Sequence, residues 1–236
     1  MRALRIAALR LVAIALLALG VTAPTPALAQ SSSTPGTAPP FLMDLRRVDG
    51  PITLDGRIDE AAWEQATRID VPVRLYQPAP DPENLSAEVR AFWNDAGLWV
   101  AAAITDDTLL FTDNVRDLGE YDSFSVWVNH FWIQASPAEG APALLRYRYL
   151  QGFPPKPFEA RAAAVKGESG YTVEVFVPAA TVTEATGTAF GPGATIPLAF
   201  TVTDRDDPET RGRAILYFPA RFGWNSPASM AQTTLR

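Results

Sequence analysis

Apolar and polar residues alternate through the segment from residue 89 to residue 129, and this pattern predicts the central strands of the fold. Residues 89–93 alternate, residues 94–97 have the composition of a turn, and residues 98–105 alternate again. An acidic connection then leads to a third alternating segment at residues 123–129. The segment is therefore predicted to fold as strand, turn, strand, acidic loop and strand.

Shorter alternating segments on either side predict the rest of an all-β fold. Gly, Pro, Asn or Asp bounds each of them, at residues 71–76, 144–150, 159–166, 171–177, 196–203 and 214–218. Residues 44–49 are predicted to form a first edge strand, and Pro72 confines the next strand to an edge. Short helices are predicted at residues 58–63, with Asp59 as N-cap, and at residues 178–184. Together these elements predict an antiparallel two-sheet β-sandwich, immunoglobulin-like or jelly-roll-like, with one or two short helices.

Strand alternation also sorts the side chains into a core face and an outer face. Trp127 falls on the face opposite the core position Phe124, Arg146 and Arg148 share one face of a later strand, and Thr201 points outward. If these strands are neighbours, the outer face combines an aromatic ring, two guanidiniums and hydroxyls, which suits a sugar. The alternative is an ordinary solvated sheet face. The tryptophans predicted to lie in the core are Trp63, Trp93 and Trp99.

The first 29 residues have the pattern of a secretory signal peptide. Arg2, Arg5 and Arg10 precede a short apolar run, and a small-x-small sequence ends at Ala29. The run is shorter than the ~20 residues that span a bilayer, so cleavage after Ala29 is predicted rather than a membrane span. Residues 30–43 form a Ser/Thr/Pro-rich spacer, and residues 44–236 form the folded domain. The protein is therefore predicted to be exported, to the periplasm or beyond the cell.

Composition excludes several classes of function. The chain has no cysteine, which rules out disulfides, thiolate metal sites and a cysteine nucleophile. Its formal net charge is −6, and loss of the leader makes it about three units more acidic. Such a chain repels phosphates, so no nucleic-acid partner is expected.

The acidic connection offers hard oxygen ligands of the kind that calcium prefers. Asp106 and Asp122 flank this loop and are the predicted metal ligands, while its spacing does not match an EF-hand. Glycoside hydrolysis needs two facing carboxylates, and no spacing pairs Glu174, Asp204 or Asp206 for that role. The sequence therefore predicts a non-catalytic protein.

Several motifs in order resemble the family 9 carbohydrate-binding modules, which are DOMON-related β-sandwiches. The resemblance runs from residue 51 to the C-terminus and rests on residues 54–63, 89–95, 98–100, 120–124, 170–178 and 202–204. It implies a sandwich with structural calcium that grips terminal sugars of plant polysaccharides between two tryptophans. Trp224 matches one of these tryptophans, and the other falls near Gly119, where none is present. Tyr121 or Trp127 is the predicted replacement platform.

The resemblance also implies which polar residues hold the sugar and which partners to expect. Arg146 matches an arginine of the site, Arg213 or Arg211 matches another, and Arg148 shares the face of Arg146. Such modules accompany glycoside hydrolases in polysaccharide breakdown, so a hydrolase is the expected partner. One alternative is a degenerate module with a structural or protein-partner role at the cell envelope. A second is a haem-binding sandwich of the related cytochrome type, with axial ligands drawn from Met43, Met230, His130, Lys156 and Lys166.

Overall fold

The computed structural model describes residues 40–71, 73–74, 81–150, 158–209, 213–220, 222–224 and 226–236. The predicted signal peptide and most of the spacer lie outside the described residues, as do Pro72, Lys156 and Arg211. Within the described part of the chain, no helix has the length and apolar character needed to cross a membrane.

The described elements are thirteen strands and two short α-helices. The strands are β1 Leu42–Leu45, β2 Thr67–Asp70, β3 Val73–Arg74, β4 Leu85–Asn94, β5 Gly97–Asp106, β6 Ser123–Val128, β7 Phe131–Ser136, β8 Leu144–Tyr149, β9 Arg161–Lys166, β10 Gly170–Pro178, β11 Thr195–Asp204, β12 Ala214–Phe218 and β13 Ala231–Leu235. The helices are α1 Ala61–Gln65 and α2 Ala179–Thr186, and single 3-10 turns lie at Leu118–Glu120 and Pro227–Ser229.

Two sheets form a β-sandwich, as predicted. The larger has the order β1-β13-β11-β6-β7-β8, with β12 also paired to β11 and β3 paired to β12. The smaller has the order β2-β4-β5-β10-β9. The pairings are antiparallel except for β1 with β13, which is parallel.

The main core lies between the two sheets and follows the predicted alternation. The side chains predicted to point inward from β6 and β11 are all fully buried there, namely Phe124, Val126, Val128, Ile196, Leu198, Phe200 and Val202. Trp93 joins them from β4, and its indole N–H donates to the carbonyls of Leu45 and Arg236. Its predicted core position is confirmed.

A second, smaller core covers the outer side of the five-stranded sheet. Trp63 from α1 packs there against Phe92, Trp99 and Phe176. The carboxylate of buried Glu174 holds the covering segment by accepting the Trp63 indole N–H at 2.9 Å. It also accepts the backbone N–H groups of residues 55 and 56, at 2.9 and 2.7 Å. Trp63 and Trp99 are thus buried structural residues, as predicted.

Three local predictions need correction. Helix α1 begins at Ala61, not at residue 58, and Asp59 is not its N-cap. Glu60 holds the N-cap position without a side-chain cap, because its carboxylate accepts the Thr53 N–H at 2.8 Å instead. Strand β1 begins at Leu42, inside the range assigned to the spacer, because pairing with β13 extends it.

The third correction concerns β7, which alternation did not reveal. It returns from β6 through a tight turn in which Asn129 adopts a positive φ of 53°. Because β7 lies between β6 and β8, the outer-face residues Trp127 and Arg148 are not direct neighbours. Trp132 stands between them.

Candidate functional site

The outer face of the eight-stranded sheet carries two rows of side chains set by strand register. In one row, Trp127 of β6 lies opposite Trp132 of β7, which lies opposite Arg148 of β8. The other row runs from Thr201 through Ser125 and Gln134 to Arg146. Residues far apart in the sequence are therefore brought onto one surface.

Three of the six tryptophans form an aromatic cluster on this face, outside the sandwich core. The rings of Trp127 and Trp132 are stacked, with centroids 4.7 Å apart and planes 7° apart. Trp224 stands edge-on to both, at 5.4 Å from Trp127 and 6.3 Å from Trp132. Trp127 is only 1% exposed, whereas Trp132 and Trp224 are partly exposed. A ligand reaching this cluster therefore meets Trp224 and Trp132 first.

The segment that carries Trp224 is fastened by one serine. The hydroxyl of Ser229 accepts the Gly223 N–H at 2.7 Å and donates to the Ser226 carbonyl at 2.6 Å. Phe222 and Met230 at the two ends of this segment are buried against Trp127. The position of Trp224 is thus set by packing and hydrogen bonds within its own loop.

Two guanidiniums lie over the Trp132 ring. Arg146 and Arg148 place their Cζ atoms 5.7 and 5.8 Å from its centroid, a cation–π arrangement. Arg146 is held further, since its Nε donates to Gln134 Oε1 at 3.0 Å and its Nη1 donates to the Arg116 carbonyl at 2.5 Å. Burial, and then the charge of Arg148, lower the pKa of Arg146. Arg148 is exposed.

The connection before β6 covers one end of the polar row. A Cβ atom at Gly119 would lie 3.0 Å from Arg146 Nη2 and 3.2 Å from Gln134 Nε2. A tryptophan at position 119 would therefore displace the Arg146 and Gln134 side chains. The backbone at Gly119 thus packs closely on these two side chains, at the position where the resemblance places the second tryptophan.

The next two residues of this connection contact arginines that lie next to β12 and β11. Glu120 forms an ion pair with Arg213, and the guanidinium of Arg205 lies 4.7 Å over the Tyr121 ring. Tyr121 and Arg213 therefore lie beside this connection, each with one side already in contact with a neighbour. Their predicted roles in ligand binding stay predictions.

Several polar atoms beneath this face are buried without a hydrogen-bond partner among the described residues. They are Ser125 Oγ, Trp132 Nε1 and Gln134 Nε2. An unpaired buried polar group costs about 1–3 kcal/mol, so this face holds hydrogen-bonding groups, among them the Trp132 and Gln134 N–H donors, that the described residues leave unused. Sequence reasoning missed Trp132 and Gln134. The available signal was that both residues flank the core position Ile133, so alternation places both on the outer face.

An acidic cluster lies at one end of the sandwich, where β5, β6 and β11 meet. One carboxylate oxygen from each of Asp106, Asp204 and Asp206 lies within 4.8 Å of the others. Burial raises the pKa of Asp106 to about 6 and that of Asp204 to about 8, and the neighbouring carboxylates add to both shifts. Asp106 Oδ2 and Asp204 Oδ1 are buried without a partner in the described residues.

These residues fit a hard divalent cation. Buried carboxylates with unpaired oxygens are the ligands that calcium takes, and a cation would offset their mutual repulsion. Asp122, predicted as a ligand, lies beside the cluster and accepts the N–H groups of Leu110 at 2.5 Å and Arg205 at 2.8 Å. Burial raises its pKa to about 7. Asp204 and Asp206 were not predicted as ligands, because nothing in the sequence pairs β11 with the end of β5.

Two described cavities are lined by residues outside the aromatic cluster. One of about 340 Å³ is lined by Leu109, Phe111 and Lys166 among others, and another of about 410 Å³ by Phe158 and Glu184 among others. Neither brings together aromatic faces and hydrogen-bonding groups as the sheet face does. The residues considered as haem ligands lie on separate elements, with Met43 on β1, Lys166 on β9 and Met230 in the aromatic cluster.

Comparison with known proteins identifies the family. Residues 54–236 match the family model described as "Carbohydrate family 9 binding domain-like". The chain belongs to this carbohydrate family 9 binding domain-like family. It is a family of non-catalytic carbohydrate-binding modules. No curated protein matches the chain.

Solved structures of family 9 modules share the fold. A family 9 module from Caldicellulosiruptor kristjanssonii in complex with cellotriose matches with a TM-score of 0.63 and 14% identity, covering 82% of this chain and 93% of that chain. A module from the same organism in complex with glucose matches with a TM-score of 0.57 and 15% identity, covering 82% and 95%. A Bacteroides uniformis ATCC 8492 protein matches with a TM-score of 0.59 and 9% identity, covering 84% and 100%.

Proposed function

We propose that this family 9 domain is an exported, non-catalytic module that binds a saccharide on the outer face of its eight-stranded sheet. The observation that carries the proposal is the aromatic cluster of Trp127, Trp132 and Trp224 beside Arg146 and Arg148. Aromatic faces accept the C–H surface of a sugar ring, and guanidiniums donate to its oxygens. Partly exposed Trp224 supplies the stacking platform, and the two arginines donate to hydroxyls.

The similarity to modules in complex with cellotriose and glucose makes these two sugars the first ligands to test. Isothermal titration calorimetry with cellotriose is expected to give a saturable heat. Substitution of Trp224 by Ala is expected to weaken the affinity by at least tenfold, or about 1.4 kcal/mol. The matched control is Tyr147→Ala, since Tyr147 is 48% exposed and points to the opposite face of β8. No heat with any sugar would refute the proposal and favour a structural or partner role at the envelope.

We propose calcium as a structural ion held by Asp106, Asp204 and Asp206, with Asp122 supporting the loop beside it. When bound, calcium would supply the positive charge that lets these carboxylates stay ionised while buried. The protein residues fix the ends of β5, β6 and β11 around that position. Equilibrium dialysis with calcium, followed by metal analysis of the wild type and Asp204→Asn, tests this assignment. Equal calcium contents in the two proteins would contradict it.

The pattern of the first 29 residues supports export, with Gln30 as the first residue of the mature chain. N-terminal sequencing of the protein recovered from the periplasmic or extracellular fraction tests this, and an intact leader would contradict it.

We also propose that the module serves polysaccharide breakdown by placing a glycoside hydrolase partner on its substrate. A hydrolase is expected to co-purify with the module from cells grown on polysaccharide. If no hydrolase co-purifies under any growth condition, the proposal is contradicted.

A further inference from the structure

The sugar-binding face is more basic than the rest of this acidic chain. Among the described residues of β6, β7, β8, β11 and β12, the charged side chains are Asp204, Arg146 and Arg148. Asp204 belongs to the acidic cluster at the end of the sandwich, so the outer face of these strands carries only cations. The chain as a whole, in contrast, has a formal net charge of −6.

Arg146 and Arg148 face one indole ring, and neither has a carboxylate partner among the described residues. On the five-stranded sheet, Glu88 pairs with Arg68 at 3.7 Å and with Arg90 at 2.6 Å. Within the described residues, no carboxylate lies within salt-bridge distance of Arg146 or Arg148. Two like charges therefore share one indole ring, with no carboxylate of the described residues in direct contact with either.

Nearby acidic groups do not supply such a contact. Asp117 and Glu120 act to raise the pKa of Arg146, but neither forms a salt bridge with it, and Glu120 is already paired with Arg213. Arg146 is partly buried, its Nε and Nη2 are fixed on Gln134 Oε1, and Nη1 is fixed on the Arg116 carbonyl. Arg146 is therefore held in place, and beside it the exposed guanidinium of Arg148 can donate to an anion.

We infer that Arg146 and Arg148 form a carboxylate subsite, and that the preferred ligand is a saccharide containing a uronic acid. A hydroxyl could be held by a neutral amide, whereas a carboxylate also offsets the repulsion between the two guanidiniums. The planar carboxylate matches the planar guanidinium fork, and Trp224 receives the sugar ring beside it. This inference rests on the proposed sugar-binding function and names the substrate class of that site.

A matched ligand pair tests the inference. Cellotriose and its C6-oxidised counterpart, a β-1,4-linked triglucuronate, differ only in the carboxylates, and both are titrated by calorimetry at low salt. The triglucuronate is expected to bind roughly tenfold or more tightly, as for charge-assisted hydrogen bonds, and to lose this advantage at high ionic strength. In Arg148→Gln the ratio of the two affinities is expected to fall toward one. Arg148 is exposed, so this variant is expected to fold even if Arg146→Gln does not.

The control is Arg161→Gln. Arg161 is exposed and stacks on the Phe176 ring at 4.8 Å, a similar cation–π contact on the other sheet, and its loss should leave the ratio unchanged. If cellotriose binds and triglucuronate binds no better, the inference is overturned while the proposed function stands. If a C6-sulfated cellotriose binds more tightly than triglucuronate, the carboxylate assignment is overturned. If no sugar binds at all, the proposed function itself fails.

Discussion

The metal-free protein is predicted to lose stability as the pH rises, and calcium is predicted to restore it. The pKa values of Asp106, Asp122 and Asp204 are raised in the folded chain to about 6, 7 and 8. Between pH 4 and 8 the folded state therefore holds more protons than the unfolded state. By linkage, the free energy of unfolding falls as the pH rises through that window.

The size of the effect follows from the geometry. Two carboxylates whose oxygens lie within 4.8 Å of one another repel by roughly 3 kcal/mol at an effective dielectric constant of about 20. Relief of one such repulsion by calcium would raise the melting temperature by roughly 6–12 °C in a domain of this size. The gain applies at pH 8, where Asp106 is ionised and Asp204 is about half ionised in the metal-free protein. At pH 5 protons already neutralise them, and the gain should be small.

Thermal unfolding followed by circular dichroism measures this difference in protein stripped of metal, with and without added calcium, at pH 5 and pH 8. The Asp204→Asn variant should lose most of the calcium effect, whereas Asp113→Asn, an exposed residue of the same connection, should keep it. Glu174, whose pKa burial raises to about 7, affects both samples equally and cancels in the comparison. A calcium effect of equal size at both pH values, or one that survives in Asp204→Asn, would refute the reasoning.

Two further substitutions test the structural framework. Glu174→Gln should lower the free energy of unfolding in urea by about 1.5–3 kcal/mol, because one of its hydrogen-bonded donors would face an amide N–H₂. An equal change in Glu168→Gln, on the exposed turn before β10, would contradict this. Trp93→Ala should cost about 3–5 kcal/mol as a core truncation. Trp224→Ala should cost much less stability, and the reverse order would show that the two tryptophans have been assigned to the wrong roles.

Strand alternation predicted the fold and the outer face where the pattern was regular. Phe124 and Phe200 point inward as predicted, and Trp127 points outward, because one residue of register decides the face along a whole strand. Alternation could not reveal how deeply Trp127 is buried. That depends on Trp132 and Phe222, which reach it from another strand and from the segment before β13.

The remaining site residues depend on contacts that sequence distance hides. Strand β7 was missed because its turn at Asn129 lacks the glycine that usually marks a hairpin, so Trp132 was missed with it. Asp204 meets Asp106 only because the ends of β11 and β5 converge across the sandwich. The sequence shows that no tryptophan lies near Gly119, but only the folded chain shows that this segment packs closely on Arg146 and Gln134.

The central claim is that sugar is bound at the tryptophans of the outer sheet face. Each of the six tryptophans contributes one indole N–H signal to a ¹H–¹⁵N correlation spectrum, and substitution to Phe assigns them. Titration with cellotriose or triglucuronate is predicted to shift the signals of Trp224 and Trp132, while those of Trp63 and Trp93 stay in place. Shifts confined to the core tryptophans, or no shift at saturating sugar, would contradict the claim.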